Sequence, residues 1–234
     1  MLHFVCKNFT YYIIQLNQWA LDFSGNVERI FKSCELAKEQ NATYRLGPEL
    51  EICGYGCEDH FFEMDTYLHC WEGLAELLER GCSDDLLCDF GMPIMYHGIR
   101  YNCRVLCYNR QILLIRPKMA MADGGNYRES RYFTSYRPHA DENDSQLLLP
   151  RHLFQAKFGQ LYAPFGTQWL ECADGTTFGC ESCEELWAPQ SPHIHMALQG
   201  VCIIGNGSGS HHELRKLDTR VELMMSATRK CGGV

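Results

Sequence analysis

Apolar and polar positions follow two different periods along this chain. Short runs that are apolar throughout, or that alternate every second residue, fall at 11–16, 43–46, 89–95, 101–108, 111–115, 167–170, 177–181 and 200–204. Most are bounded by Gly, Asn or Asp, so each predicts a β-strand. Only Asn109-Arg110 separates 101–108 from 111–115, a spacing that predicts a hairpin. The first fifteen residues, rich in Phe4, Tyr11, Tyr12, Ile13 and Ile14, read as a first buried strand.

Helical spacing appears between these runs. Ser24 is placed to cap a helix with Val27, Ile30, Phe31, Cys34 and Ala37 on one face. Asp65 is placed to cap a second, with Leu68, Trp71, Ala75 and Leu78 inward. A third, from about His212, sets Leu214, Leu217, Val221 and Met224 on one side and Arg215, Asp218 and Glu222 on others. The polar stretch 134–144 has little periodicity and predicts a loop. Strands interleaved with helices, with at least one hairpin, predict an α/β layered domain.

Composition narrows the class. A chain of 234 residues, 46% hydrophobic and 21% charged, suits one soluble domain with a large core. A net charge of −8 argues against nucleic acid or an anionic membrane as partner, because either calls for a concentrated basic face. No run of 18 or more apolar residues is present to span a bilayer. The start lacks the basic residues and small-residue cleavage site of a signal peptide. The 14 cysteines are scattered along apolar segments rather than set in a disulfide frame, and read as reduced thiols of a cytoplasmic protein.

Three short words carry candidate chemistry. Gly47-Pro48-Glu49-Leu50 and Arg116-Pro117-Lys118 directly follow strand-like runs, and Cys183-Glu184-Glu185-Leu186-Trp187 begins where another ends. Hydrolysis of an amide needs a nucleophile, a proton acceptor and a group to stabilise the tetrahedral oxyanion. A cysteine, a carboxylate and a lysine supply these three in turn. Other readings use the same residues. Cys180-x-x-Cys183 has the spacing of a redox pair, but it lies late in the chain. His193-x-His195 and His211-His212 invite zinc, but no paired ligand frame accompanies them, and no metal is expected. The glycine-rich stretch from Asn206 to Ser210 lacks the ending of a phosphate-binding loop.

The order Glu49, Lys118, Cys183 resembles the nitrilase superfamily, whose Glu–Lys–Cys triad hydrolyses carbon–nitrogen bonds. More narrowly, LNQWALDF, YRLGPELEICGYG, YNCRVL, LLIRPKMAMADGGNYRESRYF, CEELWAPQSPHI and NGSGSHHELRK are similar to the amino-terminal glutaminase domain of eukaryotic-type glutamine-dependent NAD+ synthetases. The likeness runs from Leu16 to the end of the chain. It implies a four-layer α-β-β-α sandwich. It also implies Glu49 as general base, Lys118 as oxyanion stabiliser, Cys183 as nucleophile through a glutamyl thioester, and Glu129 as a second glutamate beside the triad. For the substrate glutamine it points to Tyr55, Tyr127, Glu184, Ser210 and Arg215.

The resemblance also frames what is expected of the whole. Relatives continue past Cys231-Gly232-Gly233 into closing strands and an ATP-dependent domain with an SGGxDS loop, a word not found here. The expectation is one carbon–nitrogen hydrolase domain over 1–234, truncated at the C-terminus, with the synthetase domain absent. The glutaminase step needs no cofactor; ATP and Mg2+ belong to the missing domain. Glutamine as substrate, and a homo-oligomer or full-length synthetase subunits as partners, follow from the same likeness. Two other readings are an inactive fragment that associates with full-length synthetase and a free-standing nitrilase-type amidase.

Overall fold

The computed structural model describes residues 9–138 and 145–232. Residues 1–8 of the expected first strand and 139–144 of the polar stretch lie outside the described residues. In chain order the first elements are β1 (Tyr11–Ile13), α1 (Phe23–Glu39), β2 (Tyr44–Leu46), α2 (Met64–Glu79), β3 (Leu87–Tyr96), β4 (Ile99–Tyr108) and β5 (Gln111–Pro117). There follow α3 (Glu129–Tyr132), β6 (Gln146–Leu148), α4 (Gln155–Phe158), β7 (Tyr162–Pro164), β8 (Leu170–Glu171), β9 (Thr177–Ser182), α5 (Pro192–Leu198), β10 (Ile203–Gly207) and α6 (Lys216–Cys231).

The first sheet has the order β1-β2-β3-β4-β5, parallel through β3 and antiparallel beyond. The second has the order β10-β9-β8, and β6 and β7 pair as a separate two-stranded antiparallel sheet. Side chains alternate across each sheet, so each face packs on a different layer. One face of the first sheet puts Phe90, Met92 and Val105 against Val27, Ile30, Leu74 and Leu78 of α1 and α2. Tyr44, Leu46, Leu106 and Leu114 on the other face meet Leu170, Phe178 and Cys180 of the second sheet. On the far side of β9, a Cβ at Gly179 would lie 2.4 Å from the Met196 sulfur of α5, so glycine there lets the helix seat directly on the strand. The layers are α-β-β-α, the nitrilase-type sandwich. No helix among the described residues is long and apolar enough to cross a membrane.

The hairpin at Asn109-Arg110 forms with both residues at positive φ (47° and 63°), the geometry of a tight two-residue turn. His97-Gly98 makes a second hairpin, so β3, β4 and β5 are a continuous meander.

Several expectations shift. The N-cap of α1 is Asp22, which accepts from Gly25 N, and Ser24 sits inside the first turn. Glu63 rather than Asp65 precedes α2, and Leu68 is exposed while Cys70, Leu74 and Leu77 are buried. Trp71, Ala75 and Leu78 of the expected stripe do face inward, and the buried face is wider than that stripe because α2 packs on both α1 and the first sheet. Only β8 represents the run 167–170, and the strand at 200–204 is displaced to β10. The first strand is not buried, since β1 is a sheet edge with Tyr11 and Ile13 exposed. The third helix starts at Lys216 and keeps Leu217, Val221 and Met224 exposed, because its main packing partner is α5.

Candidate active site

Three strand ends from two sheets converge. β2 runs into Gly47-Pro48-Glu49-Leu50, where Leu50 holds φ +51° and turns the chain sharply. β5 ends at Pro117, directly before Lys118. β9 ends at Ser182, and Cys183 opens a 3₁₀ turn at φ +38°. A non-glycine residue at positive φ is strained, and such strain persists where the surroundings over-determine it.

Lys118 is the centre of a buried charge cluster. Its Nζ donates to Glu49 Oε1 at 2.5 Å and to Glu129 Oε2 and Oε1 at 2.6 and 2.9 Å. All three side chains are almost fully buried. Burial works against the ammonium, but the facing charges of Glu49 and Glu129 outweigh it and hold Lys118 above the usual lysine range. Glu129 is pushed up to about 7, by burial first and then by the charge of Glu49. Tyr55 Oη donates to Glu129 Oε1 at 2.5 Å, and Ala122 N donates to Oε2 at 3.1 Å.

Cys183 lies beside this cluster. Burial and the charge of Glu49 push its thiol up to about 12, while Lys118 and the Ser208 hydroxyl pull the other way. A thiol so raised is held protonated near neutral pH, and a base would have to take its proton before it could serve as a nucleophile. Ser208 Oγ donates to Sγ at 3.2 Å, and Gly209 N donates to Glu49 Oε2 at 3.3 Å. Cys180, three residues upstream, is on the opposite face of β9 in the inter-sheet core, where burial also raises its thiol. The described cysteines are free thiols.

A polar rim surrounds the sulfur. Tyr127 Oη accepts from His211 N at 2.8 Å and from Lys216 Nζ at 3.3 Å, and its ring stacks on His211 at 4.5 Å. Tyr55 meets Tyr127 edge-on. Lys216 Nζ sits 5.3 Å from the Tyr127 ring centre and 5.6 Å from that of Trp187. Partial burial raises Glu184, against the pull of Lys118 and Lys216. Arg220 Nη2 donates to Ser210 Oγ at 2.9 Å. Arg215 is exposed at φ +66° before α6. Glu49, Lys118, Glu129, Cys183, Tyr55 and Tyr127 thus share one neighbourhood, with Glu184 and Ser210 at its rim, and the cation touching Tyr127 is Lys216 rather than Arg215.

Other residues of the site went unnoticed in the chain. Glu185 accepts from Met119 N and Ser182 N, both at 2.6 Å, and from Arg116 Nη1, so it ties the strand end bearing Lys118 to the one bearing Cys183. Arg104 donates to Gly47 O at 2.9 Å and Pro48 O at 3.0 Å, holding the turn that carries Glu49. Asn102 Nδ2 reaches Glu49 Oε1 at 2.7 Å. A buried polar residue inside an apolar strand was the available signal for Asn102 and Arg104. The histidines have other work: His193 Nδ1 pairs with Glu181 Oε2 at 3.1 Å, and His211 stacks on Tyr127.

Fold and site together define a carbon–nitrogen hydrolase: the family's sequence profile matches residues 13–234, and the chain belongs to that family. Among curated relatives, it is 57% identical over 219 residues to the glutamine-dependent NAD(+) synthetase of Macaca fascicularis and 55% to that of Homo sapiens. These alignments cover 94% of this chain but 30% of each relative's length. A crystal structure of a glutamine-dependent NAD(+) synthetase from Cytophaga hutchinsonii superposes with a TM-score of 0.77 at 26% identity, covering 93% of this chain and 33% of that one. An amidase from Nesterenkonia sp. AN1 shares the fold at a TM-score of 0.73 and 13% identity, covering 97% of this chain and 76% of its own.

Proposed function

We propose that this chain hydrolyses the side-chain amide of glutamine to glutamate and ammonia through a cysteine thioester. The observation that carries this reading is the buried Glu49–Lys118–Glu129 cluster set beside Cys183 at the ends of strands from both sheets. As Sγ attacks the amide carbon, its proton passes to Glu49. The carbonyl π pair moves onto oxygen, and the oxyanion meets the Lys118 ammonium, which has three protons to share among its partners. Collapse of the tetrahedral adduct breaks the C–N bond, and the leaving nitrogen takes the proton from Glu49 as ammonia. Water then attacks the thioester and yields its proton to Glu49. The second adduct expels Cys183 as the thiolate, which recovers that proton, leaving glutamate.

Glutamine as substrate rests on the rim. Glu184 with Tyr55 and Tyr127 suits an α-ammonium, while Ser210 with Lys216 or Arg215 suits an α-carboxylate. The relatives named as glutamine-dependent synthetases support the same substrate. In a longer protein of that kind the ammonia would serve ATP-dependent amidation of nicotinic acid adenine dinucleotide, with ATP and Mg2+ held outside this chain. Cytoplasmic location and assembly into a homo-oligomer belong to the same reading. The test is release of glutamate and ammonia from glutamine by the purified chain beside Cys183→Ala. Activity that disappears in the variant supports the reading, and equal activity in both overturns it.

A further inference from the structure

Asn102 is fully buried in β4, between apolar neighbours. Its backbone carbonyl accepts from Lys118 N at 2.8 Å, and its side-chain Nδ2 donates to Glu49 Oε1 at 2.7 Å. Its own Oδ1, also buried, has no hydrogen-bond partner among the described residues. Leaving a buried acceptor unpaired costs free energy, so the amide is not oriented for its own satisfaction. Turned over, it would set Oδ1 against Glu49 Oε1, oxygen facing oxygen. Glu49 therefore dictates how the amide sits.

The two oxygens of Glu49 consequently differ. Oε1 accepts from Lys118 Nζ and from Asn102 Nδ2, so both its lone-pair directions are taken. Oε2 faces the loop of Ser208 and Gly209, where Gly209 N lies 3.3 Å away and the Ser208 hydroxyl touches Cys183 Sγ.

We propose that Asn102 is a positioning residue that locks the Glu49 carboxylate with Oε1 turned to Lys118 and Oε2 turned to the nucleophile, making Oε2 the oxygen that receives the thiol proton. This rests on the reading of Glu49 as general base. The groups facing Glu49 are Lys118 after β5, Glu129 on α3, Tyr55 after the β2 turn and Cys183 after β9. None of these supplies the amide's contact: Lys118 holds Oε1 through a separate bond, and the single hydroxyl proton of Tyr55 goes to Glu129 Oε1.

The test is the rate of Cys183 alkylation by iodoacetamide in the full chain between pH 5.5 and 8.5, read by mass spectrometry of the Cys183 peptide. It requires a folded chain but no turnover. In Asn102→Asp, a protonated carboxyl donates to Oε1 as the amide does, but on ionising it repels Glu49. Its rate relative to wild type should be within about 3-fold at pH 5.5 and at least about 10-fold lower at pH 8.5. In Asn102→Ala the rate should be lowered by a similar factor at every pH, which carries the test should the aspartate variant not fold. Adding Asn102→Ala to Glu49→Gln should slow alkylation no further, because the amide acts through Glu49. A wild-type rate in Asn102→Ala, a flat ratio in Asn102→Asp, or additive losses in the double variant would overturn the inference. A wild-type rate in Glu49→Gln would instead overturn the general-base reading, so the two failures are separable.

Discussion

The hydroxyl of Ser208 donates a hydrogen bond to the sulfur of Cys183 at 3.2 Å, joining the loop after β10 to the strained turn after β9. A donor at that distance favours a thiolate over a thiol. Removing it in Ser208→Ala should raise the thiol further and slow alkylation of Cys183 at pH 7.5 by about 3- to 10-fold, with Ser208→Thr restoring most of the rate. Equal rates in the alanine variant would show that the hydroxyl does not govern the sulfur.

The two cysteines of Cys180-x-x-Cys183 should separate cleanly. Cys183→Ala is expected to abolish ammonia release, whereas Cys180→Ala, a change in the inter-sheet core, should keep most of it. Loss of activity in Cys180→Ala from folded protein would reassign the nucleophile. Steady-state kinetics on both variants, with thermal unfolding as the check on folding, decide the matter.

Lys118→Ala should lower kcat far more than it raises KM, because in the proposed mechanism the ammonium acts on charge that develops in the transition state. Loss of one oxyanion donor typically costs roughly 100- to 1000-fold in rate. A large rise in KM at constant kcat would give Lys118 a role in binding instead.

Glu129 links the site to stability. Its carboxyl is pushed up to about 7 in the folded chain, above the ordinary glutamate value, by burial first and by Glu49 second. A raised carboxyl binds its proton more tightly folded than unfolded. Its contribution is therefore fully present below the unfolded pKa and is lost as pH rises through about 7. Over that window the group should cost on the order of 3 kcal/mol of stability. Glu129→Gln removes the titration, so the difference in Tm, variant minus wild type, should grow more positive from pH 4.5 to pH 8. A difference that stays flat across this range would count against a raised Glu129.

Much of this protein was legible in one dimension. Alternation marked β2, β3, β4, β5 and β9, and the stripe of Val27, Ile30, Cys34 and Ala37 marked the inner face of α1. Those patterns report burial directly, because a buried face must be apolar and its period is set by backbone geometry. The words around Glu49, Lys118 and Cys183 marked three residues that the structure gathers into one site, since they are short, local and chemically distinctive.

What the chain order could not contain is distance. Glu49 and Lys118 are 69 residues apart and Glu49 and Gly209 are 160 apart, yet each pair meets within hydrogen-bond reach. Their meeting depends on two sheets stacking at a fixed separation, which Glu185 and Arg104 help to set through contacts with segments distant in the chain. Likewise the exposed edge at β1 and the uncovered face of α6 follow from which neighbours pack on them, not from their own periodicity. The sequence by itself determined the main elements and the candidate site residues, because both are properties of adjacent residues. Only the tertiary structure decided which partners each oxygen of Glu49 meets and which cation meets Tyr127, because both depend on contacts between segments far apart in the chain.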